Sequence, residues 1–271
     1  MALQMKLEPT IPDETSLMCD MGIGSSPSMV TIVGAGGKTS TLFWLAQWLI
    51  RRGRRVLIAT STQMFMPPPS VPCLFCRDPL ALPEAAFQRP LLAVYARWSP
   101  ASGKVQGFEP PTLAALGARR GVDVMLVEGD GSRGLPIKAP ALHEPCIPSS
   151  SQCVIAVSGG RALGQPLGPQ RVHRWAEFAA ITGASAGQRL TLAHMTALLN
   201  HPQGMFKNAP PEARRIWLVN QFSQNEKFPI AAFATLAHST SLSAIWLGAV
   251  QESPAIFRRL TPLFSGHRMD I

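Results

Sequence analysis

The run Val30-Thr31-Ile32-Val33 passes directly into Gly34-Ala35-Gly36-Gly37-Lys38-Thr39-Ser40 and then into an apolar helical pattern. A row of β-branched apolar residues predicts a buried strand. Glycines after it permit a turn that residues bearing a Cβ do not follow. Leu42, Leu45, Ala46, Leu49 and Ile50 then recur at helical spacing, and Gly53 provides a stop. Strand, glycine turn and helix N-terminus together form a cradle for anions. Backbone N–H groups converge on it, and the helix dipole adds positive potential. Val56–Thr60 is the next strand and completes a β-α-β unit, so the two strands should run parallel.

The residues of the turn sharpen this to phosphate chemistry. Lys38 is positioned to reach the β- and γ-phosphates of a nucleotide, and the Thr39 hydroxyl to ligate Mg²⁺. Gly34, Ala35, Gly36, Gly37 and Ser40 supply the surrounding backbone. The expected ligand is a nucleoside triphosphate with Mg²⁺, ATP or GTP, its base unresolved. The long motif G-x-x-x-x-G-K-[ST] would need glycine at position 32, where Ile32 stands. The chain fits the shorter G-x-x-G-K-[ST], with Gly34 at the turn.

A metal partner is expected at the carboxyl end of a neighbouring strand, where open α/β sheets bind ligands. Val122-Asp123-Val124-Met125-Leu126-Val127 delivers Glu128 and Asp130 to such an end, with Gly129 between them. One acid would hold Mg²⁺ and the other would orient a nucleophile, while Arg133 neutralises transferring phosphate charge. Thr60 and Thr62 follow the second strand, where hydroxyls meet phosphate, a second substrate or only a helix cap. Lys138, His143 and Glu144 lie in one proline-braced loop. Lys138 suits an anion, and His143 suits proton transfer, cofactor binding as a ligand, or only solvation on the loop. His173 and Arg174 open an expected helix and are candidate anion ligands.

Elsewhere, residues 91–97 and 104–108 flank Pro100-Ala101-Ser102-Gly103 and predict a hairpin, after a proline-rich loop over 67–90. Helices are expected at 112–120, 172–182, 191–200 and 229–238, and strands at 122–127, 154–157, 216–220 and 244–248. Strands alternating with helices mean α/β. The expected architecture is a P-loop NTPase-like three-layer sandwich with a mainly parallel sheet. Residues 1–28 would be a loose leader, 29–260 a single domain with a helical insertion at about 160–210 that forms a lid, and 261–271 a tail.

Composition limits the alternatives. The formal charge is +9 and the pI about 10.0. The arginines are scattered pairs without an aromatic stacking platform, which favours small anionic ligands over nucleic acid. No run of apolar residues is long enough to span a membrane, and the start of the chain lacks the pattern of a secretion signal. A cytoplasmic protein is expected. Five cysteines, an odd number, argue against a disulfide framework. Cys73-x-x-Cys76 lacks a well-spaced second pair for zinc and sits in the proline-rich loop, so free thiols are expected there.

Taken together the passages resemble the YqeC family, accessory proteins of selenium-dependent molybdenum hydroxylases. Matching are residues 33–39, 130–140, His143-Glu144-Pro145, Leu163-Gly164-Gln165-Pro166-Leu167, Val172-His173-Arg174 and 201–210. The resemblance implies a P-loop NTPase-like protein that helps mature the molybdenum cofactor or selenium centre of a hydroxylase. It also implies a molybdopterin-type cofactor and a molybdenum hydroxylase as partners. Gln63 stands where the family has histidine, Gly129 where it has alanine, and Asn220-Gln221-Phe222-Ser223 where an Asn-Lys-x-Asp-like base reader would fall. Two other activities stay open: an ATP-dependent ligase or kinase with an acceptor near His143 or His173, and a non-catalytic carrier of nucleotide or molybdopterin cofactor.

Overall fold

A computed structural model describes residues 11–224 and 230–262. Nine strands form the central sheet of the described residues: β1 Ser28–Gly34, β2 Val56–Thr60, β3 Cys73–Phe75, β4 Leu91–Tyr95, β5 Val124–Glu128, β6 Cys153–Gly159, β7 Arg214–Asn220, β8 Ala244–Gly248 and β9 Ile256–Leu260. Their order across the sheet is β9-β8-β7-β6-β1-β5-β2-β4-β3. Every adjacent pair is parallel except β8 with β9. The fold is therefore α/β with a large, mostly parallel sheet.

β1 sits where the chain changes direction across the sheet. Strands β2 to β5 lie on one side of it and β6 to β9 on the other. The backbone leaving the carboxyl end of β1 thus opens into a crevice between diverging connections, the place where such sheets bind ligands. β1 and β2 do share a direction, as the β-α-β pattern requires. They are not neighbours, because β5 pairs with both.

Alternation along β1 divides the core into layers. Val30 and Ile32 face α2 (Lys38–Ile50) and pack with its Leu42, Leu45 and Leu49. On the opposite face, Met29 joins Leu113 and Leu116 of α3 (Pro110–Gly117). Val33 joins Phe178 of α4 (Trp175–Thr182), Met195 and Leu198 of α5 (Leu192–Asn200), and Phe233 of α6 (Ile230–His238). A central strand buried on both faces reads as a continuous apolar run, which is why residues 30–33 were legible.

Several expectations need correction. Part of the expected leader, Glu14–Met21, is a helix whose Leu17 and Met21 enter the core, and its Asp20 pairs with Arg259 of β9; residues 1–10 lie outside the described residues. The 91–97/104–108 hairpin does not form. Leu91–Tyr95 joins the main sheet beside β2, and the Pro100 turn instead joins Arg97–Ser99 to Lys104–Gln106. These two pair into a small antiparallel ribbon with Gln63–Phe65. Within the proline-rich loop, Cys73–Phe75 forms an edge strand, tolerated because its outer side needs no ladder partner. The expected helix at 172–182 begins later. Val172–His173 pairs with Ile137–Lys138, and Arg174 takes φ 63° before α4 starts. The expected helix start Pro229 and tail residues 263–271 lie outside the described residues.

Candidate functional site

The turn after β1 is set by close backbone approach. A Cβ on Gly34 would collide with the Val157 carbonyl, and one on Gly36 with the Gly159 amide, both on the neighbouring β6. Their φ values, 95° and 76°, are also in the left-handed region. The loop is tied down at both ends. Ala35 N donates to Val157 O, and Asn220 Nδ2 donates to Gly36 O at 2.9 Å. Gly37 then caps α2 without a side-chain partner, leaving the first-turn amides open to a ligand.

A cavity of about 320 Å³ opens over this helix N-terminus. Gly37, Lys38, Thr39, Ser40, Glu128, Arg133, His173 and Arg174 line it, all named from sequence. Thr39 Oγ1 donates to Glu128 Oε2 at 2.8 Å. Burial pushes the Glu128 carboxyl above its usual range, against the opposing pull of Lys38 and the Thr39 hydrogen bond. Lys38 is buried and donates to Gly34 O at 2.9 Å. Arg133, at φ 52°, stands exposed at the rim.

Asp130 departs from its expected place beside Glu128. Gly34 N donates to both of its carboxylate oxygens at 3.1 Å. Lys138 Nζ lies 3.0 Å from Oδ2, and Lys38 Nζ 3.4 Å from Oδ1. With those partners and 2% exposure, Asp130 braces the loop from beneath and does not line the cavity. Lys138 is correspondingly no free anion ligand: it also contacts Glu144 Oε2 at 2.9 Å and donates to Gly131 O at 2.6 Å. Burial alone would raise the Glu144 carboxyl, but hydrogen bonding and charge from Lys138 outweigh it and hold it below the usual value. Burial, then the charges of Lys138 and Arg174, push the His173 imidazole down.

Thr60 is also a correction. It is fully buried and its hydroxyl donates to the Glu128 carbonyl at 2.8 Å, so it holds β2 to β5. Thr62 and His143 do not line the loop cavity. They line an adjoining one of about 350 Å³, which shares Gln63, Lys104, Gly131 and Glu144 with the first. The Thr62 hydroxyl is buried there without a hydrogen-bond partner. Sequence reasoning did not select Lys104, a single lysine with no pattern around it. Glu144 was visible only as part of the proline-braced loop. Asn220 stands where a base reader would fall, yet both ends of its amide make structural bonds: Nδ2 donates to Gly36 O, and Oδ1 accepts from Val250 N at 3.0 Å.

Elsewhere, burial raises the thiols of Cys73 and Cys76, the opposite of what a reactive redox pair needs. Among the described residues no helix is long and apolar enough to cross a membrane. Of the 160–210 segment, α4 and α5 pack into the core of one face, and only His173 and Arg174 line the cavity.

Fold and site define an α/β protein whose glycine loop and helix N-terminus stand at the switch point of a mostly parallel sheet. A sequence model described as YqeC protein matches residues 30–176. The chain is also 50% identical over 252 residues to the protein YqeC of Escherichia coli (strain K12), itself described as uncharacterized; the match covers 92% of this chain and 98% of that one. The chain belongs to the YqeC family.

Proposed function

We propose that the protein binds a Mg²⁺–nucleoside triphosphate in the loop cavity and hydrolyses its terminal phosphoanhydride, in support of cofactor maturation in a molybdenum hydroxylase. The observation that carries the reading is the Thr39–Glu128 contact at 2.8 Å beside Lys38, at the open N-terminus of α2. A hydroxyl from the loop and a carboxylate from the end of the adjacent strand are the donor set that suits a hard cation sharing its remaining oxygens with phosphates. Mg²⁺ held there supplies neutralisation of phosphate charge. The α2 amides and Lys38 bind the phosphate oxygens, and Arg133 closes on the outermost group from the rim. Glu128, at the end of β5, would hold that metal directly or through a water, with Thr39 beside it. Support for the hydroxylase context is the family resemblance alone.

The adjoining cavity favours a second reading, transfer of the phosphoryl group to an acceptor instead of water. Its His143 would face such an acceptor.

The test is isothermal titration with ATP, GTP and CTP plus Mg²⁺, followed by phosphate release. Binding with release that Lys38→Ala abolishes is the expected result. Unchanged turnover in that variant overturns the reading, and tight binding without release points to a carrier.

A further inference from the structure

A second, smaller cavity of about 150 Å³ lies on the other side of the glycine loop, and Gly37 and Ser40 line both. A ligand whose phosphates sit on the α2 N-terminus can therefore continue past Ser40 into it. The reacting end of a triphosphate belongs with Glu128 and Arg133, beside the Thr62–His143 cavity. The nucleoside must then leave in the opposite direction, over Ser40. We infer that this cavity, between the ends of β7 and β8, is the nucleobase site, and that it selects guanine; the inference rests on the nucleotide reading above.

The lining is mostly polar, and Ala249 and Val250, in the turn after β8, give it an apolar strip of floor. Asn220 fixes that floor to the loop by accepting from Val250 N and donating to Gly36 O, so floor and phosphate cradle form one rigid unit. One N–H and one oxygen lone pair of its amide are thereby taken, which fixes the side chain against the cavity wall. Reading falls to the rim, where Arg161, Gln221, Gln251 and Glu252 gather. Glu252 is exposed and pairs with no cation among the described residues. Guanine presents two adjacent N–H donors, at N1 and N2, and a carboxylate accepts both at once. Adenine offers donors only at N6, beside an acceptor that a carboxylate repels. Arg161 is a planar cation able to stack on the base or to donate to its O6 and N7 acceptors.

The experiment titrates the full chain with GTP, ATP and tripolyphosphate, each with Mg²⁺, and repeats all three with Glu252→Gln. The expected result is GTP at least about tenfold tighter than ATP. Glu252→Gln removes that preference and leaves tripolyphosphate affinity unchanged. Tripolyphosphate binding as tightly as GTP overturns the base site and leaves the phosphate cradle standing. ATP tighter than GTP, or a preference untouched by Glu252→Gln, overturns guanine reading by this residue. If none of the three binds, the nucleotide reading itself falls and this inference falls with it.

Discussion

Residues 34–40 reach the cavity through local geometry, whereas residues 128–144 reach it through contacts between groups far apart in the chain. The glycine loop needs positive φ and bare backbone, which its own sequence supplies. The segment after β5 is positioned by ion pairs: Asp130 meets Gly34, a separation of 96 residues, and also Lys38 and Lys138. Two acids separated by a single glycine consequently have opposite tasks. Glu128 ends β5 and faces the cavity with one hydroxyl partner. Asp130 turns under the loop and is enclosed by cations. Burial raises the Glu128 carboxyl, whereas the Asp130 carboxylate is locked in ion pairs with Lys38 and Lys138, and this separates a group that faces the cavity from one that holds the scaffold.

The largest expected effect comes from breaking the brace. Asp130→Asn leaves Lys38 and Lys138 without their shared carboxylate in a buried site, and a loss of about 3–5 kcal/mol is expected. Urea denaturation measures it, and a change under about 1 kcal/mol would show that Asp130 is not structural.

Glu128→Gln should do the reverse: activity is lost while the fold is kept. Its sign with pH follows from the raised carboxyl. A group whose folded value lies above its unfolded value, about 4.3 for glutamate, favours folding when protonated, and that contribution is lost as pH rises through the folded value. The neutral glutamine avoids the loss. The melting temperature of Glu128→Gln relative to the parent should therefore climb as pH rises above the unfolded value; a flat difference contradicts the assignment.

Glu144→Gln tests the outer part of the network and should cost less than Asp130→Asn. The parent Glu144 is held below its usual value, so its contribution is present above the unfolded value and is lost as pH falls through the folded one. The variant should be less stable than the parent at pH 7 and converge with it in acid.

The smallest effect is expected at Thr62. Replacing an unpartnered buried hydroxyl by a methyl, Thr62→Val, should raise stability by up to about 1 kcal/mol and leave nucleotide affinity unchanged. A loss of stability would mean that the hydroxyl has a partner in solution.

Legibility followed the same division. β1, the glycine turn, α2 and β2 were readable because a central buried strand is a continuous apolar run and a cradle needs glycines in order. The ribbon of Gln63–Phe65, Arg97–Ser99 and Lys104–Gln106 was misread, since Leu91–Tyr95 is a better strand by composition than Arg97–Ser99. Burial in the main sheet won the apolar segment, and the hairpin formed from the weaker one. β3 was hidden by the prolines around it. Lys104 carried no signal, because its importance comes from lying between two cavities.

By itself the sequence determined the α/β alternation, the position of the glycine loop ahead of a helix N-terminus, and the family, because these depend on backbone preference, hydrophobic periodicity and order along the chain. Tertiary structure alone decided that β5 lies between β1 and β2, that Asp130 braces while Glu128 faces the cavity, and that Thr62 and His143 belong to a neighbouring cavity. Each of those depends on which groups are buried together and which charges find partners, and desolvation and pairing have no expression in spacing along a chain.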